Sequence, residues 1–133
     1  MTIEARLHRD AGALTTLSNG RHVWSADVSR ELGSGDRAPD PHDLLDSALA
    51  ACTTLTLELY IRRRQLAVTS LRVTVERTEG KAADGRTLYT LQRQVFIDGA
   101  LTDDERNKLL EIAGKCPIHR LLEGEIHVHT QLG

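Results

Sequence analysis

Apolar and polar positions along the chain change period several times, and each change marks an element. Residues 2–9 alternate, with Ile3, Ala5 and Leu7 on one side, and predict a strand. Asn19-Gly20 is a turn signal between the apolar stretches 14–17 and 22–28, so a hairpin is expected there. Residues 33–41, GSGDRAPDP, crowd turn-favouring types and predict a loop. The period then becomes helical over PHDLLDSALAACTTLTLELYIRRR. Asp40 can cap this helix and Pro41 suits its first position. Leu44, Leu45, Ala48, Leu49, Cys52, Leu55, Leu59 and Tyr60 fall on one broad face, and Ala50, Ala51 and Leu57 widen it. A helix apolar on most sides is expected to be central and buried. Arg62, Arg63 and Arg64 suit its negative end. At about 1.5 Å per residue it makes a rod of about 36 Å, long enough to hint at cover from a second chain.

Leu71, Val73 and Val75 alternate with Arg72, Thr74 and Glu76, predicting a half-exposed strand. A turn at Asp84-Gly85 leads to a second strand over 88–97, completing a hairpin. Thr102 with Glu105 forms a capping box for the next helix, which Gly114 ends. A short helix is expected after Pro117. Ile126, Val128, Thr130 and Leu132 alternate with His127, His129 and Gln131 and predict a final strand. The order of strands, long helix, hairpin, helix and strand is α+β with a mainly antiparallel sheet.

The length of 133 residues suits a single domain over 1–133. The aromatic residues are Trp24, Tyr60, Tyr89 and Phe96, so the core rests on Leu, Val, Ile and Ala. Such a thin core favours a homo-oligomer. Net charge is −2 with acids and bases interspersed, which argues against nucleic acid as a partner. Charges in MTIEARLHRD argue against a signal peptide. Asp46, Glu58 and three arginines argue against a membrane span for the long helix. A cytoplasmic location is therefore expected, where thiols rest reduced.

The two cysteines are the chemistry-bearing feature. Cys116 precedes Pro117 at an expected helix start, and helix N-termini lower thiol pKa. Cys52 lies mid-helix among apolar residues, which raises it. By these local rules Cys116 is the better thiolate and Cys52 reads as core. Cys116-Pro-Ile-His119, with Cys52, also offers a metal-ligand set, although zinc sites use a tighter pattern. His127 and His129 are expected to face solvent. No Gly-x-Ser-x-Gly elbow and no phosphate-binding glycine loop occurs.

PHDLLDSALAACTTLTLELY resembles the signature helix of the OsmC/Ohr family, the osmotically inducible and organic hydroperoxide resistance proteins. LLEIAGKCPIHRLLEG resembles that family's second cysteine motif, and the likeness covers nearly the whole chain. It implies an interlaced homodimer with antiparallel sheets wrapped around long central helices. It also implies a thiol peroxidase that needs no cofactor or metal. Cys52 would attack an organic hydroperoxide and become a sulfenic acid, and Cys116 would condense with it to a disulfide. A dithiol, such as a dihydrolipoyl group, would recycle the pair. This reverses the local ranking of the two thiols.

In that family an arginine stabilises the attacking thiolate and is held by a glutamate just after the helix-opening proline. Here His42 stands at the glutamate position, with the shorter Asp43 next to it. Arg21, in the Asn-Gly-Arg turn, and Arg37, in the loop before the helix, are the two candidates for the arginine. The alternative is a non-catalytic dimeric thiol protein that binds a small apolar molecule or senses oxidants.

Overall fold

The computed structural model describes all residues, Met1–Gly133. The chain divides into two compact units, Met1–Leu45 and Asp46–Gly133.

The first unit is built on a three-stranded antiparallel sheet in the order β1 (Glu4–Leu7), β2 (Thr15–Ser18), β3 (Val23–Ala26). Leu17 stands opposite Ala5 on one side and Trp24 on the other. The β2–β3 turn forms as its sequence demands. Gly20 takes φ +92°, a conformation that costs glycine nothing. The Asn19 side-chain oxygen accepts the N–H groups of Arg21 and His22 at 3.0 and 2.7 Å.

The loop after β3 is organised around Asp27, which is buried. Its carboxylate accepts the Ser34 hydroxyl, the Arg37 N–H at 2.9 Å and the Val28 N–H at 2.8 Å. These bonds, the Ser34 one foremost, hold its carboxyl below the usual carboxylate value. The native form therefore binds its proton less readily than the unfolded chain. The stabilisation is present above the unfolded pKa and is lost as pH falls through the folded one. Thermal melts between about pH 7 and about pH 3 should show this acid limb in the parent and a flatter one in Asp27→Asn.

The helix α1 (Pro41–Arg64) has the bounds its sequence predicts. Asp40 accepts the Asp43 N–H at 2.8 Å, and the Asp43 carboxylate accepts the Asp40 N–H at 3.4 Å. Both acids thus serve the helix start.

In the second unit, Asp46–Arg64 of α1 is followed by a long antiparallel hairpin, β4 (Val68–Lys81) and β5 (Thr87–Gly99). Then come α2 (Asp103–Ala113) and α3 (Pro117–Leu122). Thr102 and Glu105 form the expected capping box of α2. The core joins Leu57 and Ile61 of α1 to Leu109 and Ala113 of α2, flanked by Val68, Leu71, Val95 and Ile97 from the hairpin. Asp46 ties α1 to both strands, accepting from Arg77 at 2.7 Å and from the Tyr89 hydroxyl at 2.6 Å. Burial, and then this bond to a carboxylate, push the Tyr89 phenol up to about 12.

Two expectations are corrected. By length and composition α1 could cross a bilayer, yet its buried stripe is the core of the second unit. That stripe is Leu49, Thr53, Leu57 and Ile61, not the whole circumference. Leu55 and Leu59 are 62% and 65% exposed, because one hairpin and one helix cover only one side of the rod. The expected final strand is also absent: 126–132 forms no ladder, and Ile126, Val128 and Leu132 are exposed. Its alternation is that of a strand, but no sheet edge of this chain pairs with it.

Candidate active site

The second unit brings the two cysteines together. Cys52 lies mid-way along α1 and is half-buried, while Cys116 is fully buried. Both are free thiols. Cys116 occupies the N-cap position of α3 because Pro117 can take the first helical position only if the residue before it is extended.

The thiols lie near enough to influence one another and share their surroundings unequally. Burial and the contact with Cys116 push the Cys52 thiol up, against the Ile118 N–H and the Thr56 hydroxyl, which lies 4.0 Å away. Burial also works to raise the Cys116 thiol. It is outweighed by the hydrogen bonds open to its ionised form, from Cys52, the His119 N–H, the Thr53 hydroxyl and the Ile118 N–H, so Cys116 lies below the ordinary thiol value. The pair therefore gives its first proton from Cys116, with Cys52 holding the remaining one against it.

Behind Thr53 runs a polar chain that the sequence reading did not find. Arg93, on β5, donates to the Thr53 hydroxyl oxygen at 3.0 Å and to His119 Nδ1 at 2.9 Å. Arginine only donates, so Nδ1 must accept, and His119 carries its proton on Nε2. That nitrogen faces the Glu123 carboxylate at 2.6 Å. Both imidazole nitrogens are thus engaged, which leaves His119 no lone pair for a metal shared with Cys116. A signal for Arg93 did exist. Leu91, Val95 and Ile97 alternate onto the inner side of β5, and Arg93 stands in their register. An arginine on an apolar strand face requires an internal partner.

Arg93 and His119, with Tyr89 and Glu123, also line a cavity of about 400 Å³ whose other walls include Leu49, Leu91, Val95 and Leu110. It is an open cleft of mixed polar and apolar lining.

The other four candidate residues lie in the first unit. Arg21 is exposed at the β2–β3 turn. Arg37 is exposed in the loop, its backbone bonded to Asp27 and its side chain folded over Gly35. His42 is exposed in the first turn of α1, and Asp43 is engaged with Asp40 at the cap.

Comparison with known proteins agrees with this architecture. Peroxiredoxin OsmC of Escherichia coli (strain K12) is 22% identical over 141 residues, spanning 90% of this chain and 99% of that one. The crystal structure of an OsmC-like protein from Mycoplasma pneumoniae superposes with a TM-score of 0.76 at 22% identity, covering 92% of this chain and 86% of that one. The organic hydroperoxide resistance protein OhrB of Bacillus subtilis gives a TM-score of 0.66 at 18% identity, covering 92% and 90%. Residues 33–131, which hold both cysteine motifs, match the family described as OsmC-like protein, and the chain belongs to that family.

Proposed function

We propose that this protein is a thiol peroxidase that reduces organic hydroperoxides to alcohols through Cys52 and Cys116. The observation that carries the reading is two free thiols close enough for each to alter the ionisation of the other, one half-buried and one fully buried. Family membership, and the names peroxiredoxin and organic hydroperoxide resistance protein among its relatives, support a redox role.

The chemistry follows from one proton shared between two sulfurs. The Cys116 thiolate accepts the proton of Cys52. The Cys52 thiolate attacks the distal peroxide oxygen, the O–O bond breaks, and the leaving alkoxide takes the proton back from Cys116. The products are an alcohol and a Cys52 sulfenic acid. The Cys116 thiolate then attacks the Cys52 sulfur, and hydroxide leaves as water once protonated, closing a disulfide. An external dithiol, such as a dihydrolipoyl group, supplies two electrons to reopen it. His42, in the glutamate position, and Arg21 or Arg37 are the remaining groups proposed to assist Cys52. The exposed Leu55 and Leu59 on α1 and Leu110 on α2 support a homodimer in which a second chain covers them. A cytoplasmic setting, where thiols are kept reduced, is part of this reading.

A second reading is favoured by the raised Cys52 thiol. In it the protein binds an apolar molecule in the 400 Å³ cavity, or senses oxidants by slow disulfide formation without turnover. Steady-state consumption of cumene hydroperoxide with dihydrolipoamide separates the two. Sustained turnover supports the peroxidase. Slow, stoichiometric oxidation that a reductant does not convert into turnover supports the sensor.

A further inference from the structure

We propose that Arg93, acting through the Thr53 hydroxyl, positions and polarises the sulfur of Cys116, making it the nucleophile of disulfide formation and the leaving group of disulfide reduction. The inference rests on reading the two cysteines as a redox pair, and it assigns roles to three residues outside the two cysteine positions.

The geometry is directional. Thr53 donates its one hydroxyl proton to the Leu49 carbonyl at 2.8 Å, and the Cys116 sulfur is the neighbouring acceptor that its ionised form would offer. The Leu49 carbonyl already lies in the helical ladder of α1. Arg93 donates into the Thr53 oxygen, which fills an acceptor site there and strengthens the O–H as a donor. When negative charge collects on Cys116, the hydroxyl proton turns to it. Arg93 thereby lends its charge to the sulfur through a single intervening oxygen. Its partners are a hydroxyl and an imidazole rather than a carboxylate, so no anion neutralises it directly. His119, backed by Glu123, fixes the second arm of the guanidinium fork.

Two chemical steps use that arrangement. In disulfide formation the Cys116 thiolate attacks the Cys52 sulfenic acid, and hydroxide departs. In reduction the thiolate of the incoming dithiol attacks Cys52, because Cys116 is buried and Cys52 is not. The S–S bond breaks, and the electron pair stays on Cys116 as a thiolate, to which the Thr53 hydroxyl donates a hydrogen bond. A stabilised thiolate leaves faster. The titratable and charged groups around Cys116 are Cys52 on α1, Arg93 on β5, His119 with Glu123 at the α3 end, and Lys115. Lys115 is paired with Glu111 at 3.3 Å.

The test uses the purified chain and no hydroperoxide. In a Cys52→Ser background, ultraviolet thiolate absorbance reports Cys116 alone. Thr53→Val and Arg93→Met should each move its midpoint upward by about one pH unit, about a tenfold loss of thiolate at a fixed intermediate pH. Thr53→Ser, which keeps the hydroxyl, should stay close to the parent. In the two-cysteine protein, pre-oxidised with diamide, dithiothreitol should reduce the disulfide about tenfold more slowly after Thr53→Val and not after Thr53→Ser. Coincident midpoints in the parent, Thr53→Val and Arg93→Met would overturn the relay. So would a Thr53→Ser shift as large as that of Thr53→Val, which would show packing rather than hydrogen bonding. A protein that kept these shifts yet turned over no hydroperoxide would lose the peroxidase reading and keep the relay.

Discussion

Replacing Cys52 by serine should lower dithiol-dependent hydroperoxide consumption by at least about a thousandfold. The expected loss is that large because the reaction requires a polarisable anion able to attack oxygen and then carry it as a sulfenic acid. A serine hydroxyl ionises far less and cannot hold the oxidised state. Cys116→Ser should fail at a different stage. Its first equivalent of hydroperoxide is still consumed, more slowly because the Cys116 thiolate no longer takes the Cys52 proton, and a sulfenic acid trappable by dimedone accumulates on Cys52, but no disulfide closes. Equal dimedone labelling in both variants would remove the assigned order. The structure makes this contrast meaningful, since Cys52 is half-buried and Cys116 fully buried.

The second large effect is on stability. Leu57 is fully buried and packs with Ile61, Leu109 and Ala113, so Leu57→Ala leaves a cavity where α1 meets α2. A loss of about 3 to 4 kcal/mol is expected, the sum of lost transfer energy and cavity cost. That is a large share of the stability of a domain this size. Urea unfolding at several protein concentrations checks it: the Leu57→Ala loss should persist at every concentration. Leu59→Ala offers the contrast, because this side chain is 65% exposed in the chain. If a second copy covers it, the variant should unfold like the parent when dilute, where neither is associated, and less stably than the parent when concentrated, where association stabilises the parent more. A Leu57→Ala protein as stable as the parent would mean that the core is elsewhere.

Much of this fold could be read from local signals. Asp40-Pro41 and the three arginines at 62–64 delimit α1, and the bounds follow from cap chemistry that acts within a turn. The Asn19-Gly20 turn, the Asp84-Gly85 turn and the Thr102–Glu105 box are local in the same sense. The failures concern partners distant in sequence. The alternation over 126–132 is a sound strand pattern, but a strand exists only against an edge, and this chain supplies none for it. Likewise, the width of the apolar face of α1 says how much can be buried, not which side one hairpin and one helix reach.

The site divides along the same line. Cys52 and Cys116 were legible as chemistry, and the N-cap position of Cys116 was legible from Pro117 alone. Their mutual contact came only from the family resemblance and not from local signals, because it depends on α3 folding back against the middle of α1. Arg93 lay in plain view on the inner face of β5 beside Leu91 and Val95, yet an isolated arginine in a strand reads as solvated surface. Its destination, Thr53 and His119, is fixed by the packing of three elements. His42 and Asp43 were read as replacements for a glutamate. Asp43 has a structural task of its own at the α1 cap.

The central claim is that Cys52 and Cys116 form one redox couple driven by organic hydroperoxide. Intact mass analysis after one equivalent of cumene hydroperoxide tests it most directly, followed by peptide mapping and then by dihydrolipoamide. The predicted result is the loss of two hydrogens, a mapped Cys52–Cys116 disulfide, and full return of both thiols with renewed peroxide consumption. Unchanged thiols beside intact hydroperoxide, or oxygen retained on a single cysteine with no disulfide, would contradict it.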